Sequence, residues 1–327
     1  MCIRDSAGHD SHGVGMIPTY VGSAAAGGLV VNAELETVTD AGAVLVGDGV
    51  HGFGQAMAFD AMAVGIERAR EYGLALVGLR NSHHVGRIGH WAEQCAAAGL
   101  ISIHFVNVGG SLMVAPFGGS DARFSTNPFC VAFPRVGEPT ILLDFATSAI
   151  AYGKARVAHN KGVEAPEGSL IDHEGRPTND PSVLFDEPHG ALRAMGLHKG
   201  GGLAIMCELL GGALTGGLTT REETAHDATS IYNSMTSILI DPNALGSLDS
   251  GAADAFLEWV KASPAPAGAE HGPLLPGEVE RATRATRTRD GLPVDETTWR
   301  GIADAARAAG VPDDDTTLAA WNACAAA

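Results

Sequence analysis

The stretch Arg80 to His90 reads Arg-Asn-Ser-His-His-Val-Gly-Arg-Ile-Gly-His, with three histidines, two arginines and two glycines in eleven residues. Imidazole gives and regains a proton near neutral pH because its unperturbed pKa is about 6.5, and a nearby cation can anchor or polarise an oxyanion. His83 and His84 are neighbours, so on a regular element they cannot both face the same way. One of them can be structural while the other works, and His84 is the candidate acid/base. A second cluster, Ala7-Gly-His-Asp-Ser-His-Gly-Val-Gly15, sets His9 and His12 three apart with Ser11 beside His12. Its plainer reading is a helix end capped by Asp10 or Ser11 and stopped by Gly13. Asp144 closes the apolar run Thr140-Ile-Leu-Leu-Asp144. A carboxylate there either holds a histidine in one tautomer or caps the helix that follows.

Groups suited to an anion recur further along. Arg123-Phe-Ser-Thr-Asn-Pro128 offers a guanidinium, hydroxyls and the Asn127 amide, although Asn-Pro is also a plain turn signal. Lys154 follows on the next helical stretch. Leu197-His-Lys-Gly-Gly-Gly-Leu203 sets His198, Lys199 and three glycines ahead of an apolar helix. Backbone N–H groups at such a start can approach an anion, and a flexible turn before a core helix explains the glycines equally well.

These groups need elements to carry them. Leu35 to Thr39 and Ala43 to Val46 form a hairpin across Asp40-Ala-Gly42. Gly47-Asp-Gly-Val-His-Gly52 follows and matches GxGxxG, with a helix from Gln55 to Tyr72 and a strand from Leu74 to Leu79 after it. That is the context of a dinucleotide fingerprint, but Arg80 and Asn81 stand where an acid for the ribose belongs. A glycine-rich turn into a helix is the competing reading. Trp91 to Ala98 is an amphipathic helix, and Ile101 to Val106 is a strand in which His104 reads as a satisfied core residue. Thr140 to Asp144 reads as a buried strand. Val163 to His189, rich in Pro, Gly, Asp and Glu, is a long excursion that could cover a site. Ser234 to Ile240 is strand-like with Asn233 at its head. Helices close the chain over Ala253 to Ala262 and Glu296 to Ala309.

The 327 residues, 45% hydrophobic and 18% charged, allow a large core and two lobes. A net charge of -17 argues against a broad nucleic-acid or anionic-membrane surface. The five cysteines are scattered without a CxxC pair, and Cys95, Cys130 and Cys207 lie in apolar contexts, as in a reduced cytoplasmic protein. No apolar run approaches the ~18 residues of a membrane span. Met1 to Ser6 joins Ala7 abruptly, reads as standing in place of a native start, and is expected to carry no structural weight. Three functions remain open: a nicotinamide-dependent oxidoreductase, a metal hydrolase using His9, His12, His83, His84 and His90, and a non-catalytic ligand-binding module. The hydrolase lacks an H-E-x-x-H or similar pattern, and the module leaves the histidine clusters without a task.

Several motifs in order resemble one family. They are Ala7 to Pro18, Asn81-Ser-His-His-Val-Gly-Arg-Ile-Gly89, Ser125-Thr-Asn-Pro-Phe129, Leu143-Asp-Phe-Ala-Thr-Ser148, His198-Lys-Gly200 and Leu275-Pro-Gly-Glu278. Together they resemble the malate/L-lactate dehydrogenases that lack a Rossmann fold. The resemblance implies an α/β fold: a mixed-sheet lobe over residues 73–249 and a mainly helical lobe from both chain ends, 1–72 with 250–327. It places Gly47 to Gly52 outside any dinucleotide fingerprint, and it implies family helices ahead of the Ser-His-Gly motif that this sequence does not include.

The resemblance further implies reversible reduction of 2-oxo acids by NADH or NADPH, with no metal, in a homodimer. It implies that the cofactor meets His12, Gly86, Arg87, Ile88, Leu142, Leu143, Asp144, Phe145, Ala146, His198, Asn233, Gly277, Glu278, Val279 and Glu280. Proton transfer falls to His84 or to the Ser11–His12 pair, with Asp144 orienting. Many members place an arginine at the position of Met16 to grip the substrate carboxylate. Here Arg87, Arg123, Asn127 or Lys154 takes over that contact, or carboxylate recognition is weaker and the pocket more apolar. Met16 therefore favours aromatic or larger oxo acids, such as phenylpyruvate, hydroxyphenylpyruvate or 2-oxoglutarate, over pyruvate; a malate, lactate or ureidoglycolate-type dehydrogenase of the same family is the alternative.

Overall fold

The computed structural model describes residues 5–225, 230–246 and 250–312. The chain divides into two compact units, Met1–Leu29 with Glu278–Ala327 and Val30–Gly277. The smaller unit draws on both chain ends, over fewer residues than the 1–72 with 250–327 that the resemblance implied. Residues 30–72 belong to the larger unit because their hairpin is hydrogen-bonded into the main sheet, and residues 250–277 join it through the Arg135–Asp254 ion pair and the Pro276 carbonyl on Leu142.

In the smaller unit, short turns Asp10–His12 and Val14–Met16 lead into α1 (Ile17–Ala25). Asp5 lies within the segment expected to be inert, yet its buried carboxylate accepts the Val14 N–H at 3.0 Å. Gly13 is required there, since a Cβ would fall 1.7 Å from Asp5 Oδ1.

The larger unit is built on one seven-stranded sheet. Its elements in order are β1 (Glu36–Ala41), β2 (Val44–Asp48), α2 (Gly54–Tyr72), β3 (Leu74–His83), α3 (Gly89–Ala97), β4 (Ile101–Gly109), β5 (Phe129–Arg135) and β6 (Glu138–Phe145). After α4 (Tyr152–Lys161), the long excursion forms a small sheet from β7 (Leu170–Ile171), β8 (Pro177–Thr178) and β9 (Ala191–Leu192). Then follow α5 (His198–Cys207), a π-helical turn Glu208–Gly212, β10 (Tyr232–Ile240) and α6 (Ser250–Lys261). The smaller unit resumes with α7 (Glu278–Asp290) and α8 (Glu296–Ala308).

The sheet order is β1-β2-β3-β10-β4-β5-β6, with β2 and β3 parallel and every other pair antiparallel. The parallel pair needs a crossover, and α2 supplies it. Helices α2 and α3 bury Met57, Met62, Trp91 and Cys95 against Val77, Leu79, Val106, Met235 and Leu239 of the central strands. Strand β6 is the sheet edge rather than a buried strand, and Leu143 is exposed on it. The main chain at Pro276 covers part of that edge by accepting the Leu142 N–H at 3.2 Å.

Candidate active site

One end of the sheet gathers most of the candidate residues. Tyr232 at the start of β10 pairs with His83 at the end of β3 on one side and Gly109 at the end of β4 on the other. Phe129 at the start of β5 pairs with Phe145 at the end of β6. His84, Asn233, Asn127 and Asp144 to Ala146 therefore share one edge. From β3 to β6 that edge spans four strand spacings, roughly 19 Å, enough for an extended dinucleotide.

Strand β3 runs past its expected end at Leu79. A bulge at Arg80–Asn81, with Asn81 at φ 49°, re-aims the residues after it. Arg80 and Asn81 both donate to Asp48 Oδ2, at 2.8 and 2.9 Å. Burial pushes the Asp48 carboxyl up, but the Val50 N–H, Arg80 and Asn81 outweigh it and hold its pKa below the usual carboxylate range. The glycines before α2 serve this same packing. A Cβ on Gly54 would meet the His83 and His84 carbonyl oxygens at 2.2 and 2.3 Å. The N-terminus of α2 is thus filled by the chain's own backbone, and within the GxGxxG string, a turn at Val50–His51, a Cβ on Gly49 would stand 2.9 Å from the Ser82 Cα.

His83 is fully buried and edge-on to Tyr232, with ring centroids 6.0 Å apart. Burial, and then the charge of His51, lowers its pKa to about 4, so it is neutral at working pH and unsuited to giving up a proton. His84, 7% exposed, follows the strand end. Its loop is fixed by Asn233, whose Oδ1 accepts the Val85 N–H at 2.9 Å while Nδ2 donates to the Asn107 carbonyl at 3.0 Å.

The next four residues hold a buried ion cluster. The Arg87 side chain is 1% exposed, donates to Glu93 Oε1 at 3.1 Å and places Nε 3.2 Å from Asp144 Oδ2. The same carboxylate oxygen accepts the Gly89 N–H at 2.9 Å. Gly89 leaves no room for a side chain, since a Cβ would sit 2.6 Å from both Arg87 Nη2 and Asp144 Oδ2. Arg87 Nη2 is buried and makes no hydrogen bond. A buried guanidinium N–H without a partner, beside glycine-only backbone, fits an anionic group such as a cofactor diphosphate.

Other candidates lie elsewhere or are otherwise engaged. Asn127 is buried at φ 24°, accepts the Val108 N–H at 3.0 Å and donates to the Ala204 carbonyl and Glu208 Oε1. Arg123 is exposed and held by Asp121 at 2.6 Å. Lys154 is exposed on α4. His198 is exposed at the start of α5, its ring 5.7 Å from that of Phe117. On β6, Leu142 is buried, Leu143 exposed, and Phe145 stacks at 5.8 Å on Phe129. Gly277 takes φ 89° at the foot of α7.

In the smaller unit, His12 ends its short turn, and the side chain of Ser11 lies outside what the structure describes. Asp10 is not a cap as the plainer reading had it, for it pairs with Arg287 at 3.0 Å. His9 lies 3.8 Å from Glu280, on the first turn of α7 with Glu278 and the exposed Val279.

Sequence reasoning missed Asn107, Glu93 and Glu208. Glu208 receives Asn107, Asn127 and Thr220, and its signal was a lone acid inside an otherwise apolar helix. Glu93 gave no signal, because an acid on an amphipathic helix is ordinary.

The profile of the malate/L-lactate dehydrogenase family matches residues 1–303. Hydroxycarboxylate dehydrogenase B of Escherichia coli (strain K12) is 54% identical over 310 residues, 94% of this chain and 85% of that protein. An L-lactate dehydrogenase of Cupriavidus necator is 41% identical over 304 residues, 91% of this chain and 86% of that protein. A solved E. coli structure of malate/lactate dehydrogenase type superposes with TM-score 0.94 at 51% identity, covering 99% of this chain and 90% of the other. The sulfolactate dehydrogenase of Methanocaldococcus jannaschii gives TM-score 0.83 at 29% identity, covering 94% and 88%.

The chain belongs to the malate/L-lactate dehydrogenase family. It is accordingly a 2-hydroxy acid dehydrogenase that uses NAD or NADP. The hydrolase alternative falls with that membership. Among the described residues no three His, Cys, Asp or Glu side chains are grouped to hold a metal ion, and His104 is spent on Ser102 and Ser237.

Proposed function

We propose that this chain reduces aromatic or larger 2-oxo acids to 2-hydroxy acids, with His84 as proton donor. The observation that carries this reading is the pairing of a neutral, buried His83 with a His84 whose loop is pinned by Asn233. Hydride for C2 of the substrate comes from the reduced nicotinamide. His84 then gives its proton to the carbonyl oxygen, and Asn233 keeps the loop from drifting as it does so. Gly86 to Ile88, the end of β6, His198 and Asn233 would hold the cofactor within the larger unit. Arg87 Nη2 would face its diphosphate while Asp144 and Glu93 hold the rest of the guanidinium. That occupation favours a positioning task for Asp144 and Arg87 over histidine orientation and substrate grip. The Ser11–His12 pair is the alternative proton donor.

Arg87 is committed to Asp144, Glu93 and, on this reading, the cofactor diphosphate, Arg123 is held by Asp121 and Asn127 is spent on the fold, so among the residues named for the substrate carboxylate Lys154 is the open one. With Met16 where the resemblance implies an arginine in many members, an apolar substrate body gains over a small acid. A panel of 2-oxo acids with both cofactors tests this, and equal kcat/KM for pyruvate and phenylpyruvate would remove the preference. The free, buried Cys95, Cys130 and Cys207 support a reducing, cytoplasmic setting. Exposed Ile205, Met206 and Leu209 on one apolar stretch support a homodimer, which sedimentation would test.

A further inference from the structure

A cavity of about 540 Å³ lies among the loop joining β4 to β5 and the excursion after β6, within the range of small-molecule sites. Three charged side chains line it: Asp121, Glu174 and Arg193. The two acids are already taken, Asp121 by Arg123 at 2.6 Å and Glu174 by Arg176. Arg193 is held only through its main chain, where its N–H donates to the Ser169 carbonyl at 2.8 Å and its carbonyl accepts the Ala149 N–H at 2.8 Å. Its guanidinium makes no hydrogen bond or ion pair among the described residues. The cavity therefore holds one uncompensated cation, anchored at its base and free at its head. Phe117 and Leu197 line the same space and are 61% and 45% exposed, and Ile171 closes the floor with its buried side chain. Leu197 keeps its place in a left-handed conformation, φ 59°, that a branched side chain seldom adopts. Large apolar side chains left open around an unpaired guanidinium make a site with two demands, a negative group and a flat apolar body.

We propose that this cavity binds a small organic anion, an aromatic body bearing a carboxylate or phosphate. Arg193 takes the anion, and Phe117, Ile171 and Leu197 take the body. Two sources have that chemistry: a phosphorylated adenosine end of the cofactor, and a free aromatic acid that binds apart from the reacting centre. The first source rests on the functional reading above, whereas the second does not.

Calorimetric titration of the full chain with adenosine 2′-monophosphate, and separately with phenylacetate, tests the site without any need for turnover. At least one probe should bind, and Arg193→Leu should weaken it about tenfold or more, the loss expected for a charge-assisted hydrogen bond. Arg193→Lys should restore part of the affinity, and Phe117→Ala should weaken the same probe with the cation intact. Thermal melts of each variant separate loss of the site from loss of the fold. If the nucleotide is the ligand, Arg193→Leu also raises KM for NADPH and leaves that for NADH unchanged. If phenylacetate is the ligand, it binds equally with NADPH present. Equal affinity of wild type and Arg193→Leu for both probes, or an equal loss in Arg123→Leu, overturns the proposal. An inactive enzyme that still binds a probe through Arg193 overturns the functional reading and leaves this site standing.

Discussion

Two glycine-rich junctions open helices in this chain, and they differ at their outer glycine. At Gly47 to Gly54, ahead of α2, the missing side chains make room for the protein's own main chain, with His83 and His84 oxygens within 2.3 Å of where a Gly54 Cβ would stand. At Gly200 to Gly202, in the first turns of α5, the outer glycine faces open space, with nothing within 4 Å of a Cβ on Gly202. His198 and Lys199 beside it are exposed. The junction with the better fingerprint is packed throughout, whereas the less regular string is packed at Gly200, whose Cβ would stand 2.1 Å from the Met195 carbonyl oxygen, and open at Gly202. Glycine spacing reports that something comes close; it does not report whether that is the chain or a cofactor.

The largest expected effect breaks the first junction. Gly54→Val places carbon within 2.2 to 2.4 Å of main-chain atoms that cannot move aside, so little folded protein should be recovered, a loss at the upper end of overpacking. A soluble variant with a wild-type melting temperature would refute that packing. Next comes the ion cluster after His84. Asp144→Ala removes one of the two carboxylates that hold the buried Arg87 charge and leaves Glu93 as the other, at a cost toward the lower end of about 3–5 kcal/mol in a urea melt. Activity should follow it down, since Gly89 and the Gly86 to Ile88 backbone lose their anchor.

His84→Ala should lower kcat by at least ~10²-fold with little change in stability. If His12→Ala is crippled and His84→Ala is not, the proton donor is the other imidazole. Acid comes next. The folded pKa of His83 is lowered to about 4, by burial and then His51, and that of His104 to about 3 by burial alone. Both lie below the ordinary 6.5, so between these values the unfolded chain binds the extra protons. Their contribution is complete above pH 6.5 and drains as pH falls toward 4 for His83 and 3 for His104. Urea midpoints that rise over that descent would contradict it. The smallest effect sits at the second junction. Gly202→Ala should stabilise the helix by up to about 1 kcal/mol, and a raised cofactor KM at the same time would mark the open face as occupied in turnover.

Much of the scaffold was legible because it is local. The hairpin before Gly47, the helix over Gln55 to Tyr72, the strand carrying His104 and the closing helices follow from periodicity and turn residues that act over a few positions. Strand β6 was read as buried from the apolar run Ile141 to Leu143, since neither edge nor centre is written in a strand's own residues. Among the candidates, His84, Asp144 and Asn233 do share a sheet end. Asn127 was the reverse case, an amide that looked free to bind and is consumed by Val108, Ala204 and Glu208.

By itself the sequence determined the residue types available for proton transfer, the order of the motifs and the family they announce. Only tertiary structure decided which imidazole is neutral, which guanidinium is enclosed and which glycine faces solvent. The contacts that build the site join residues far apart in sequence, as with Asn233 and Val85, 148 positions apart. Desolvation and ion pairing act through space, so a chain's own neighbours cannot announce them.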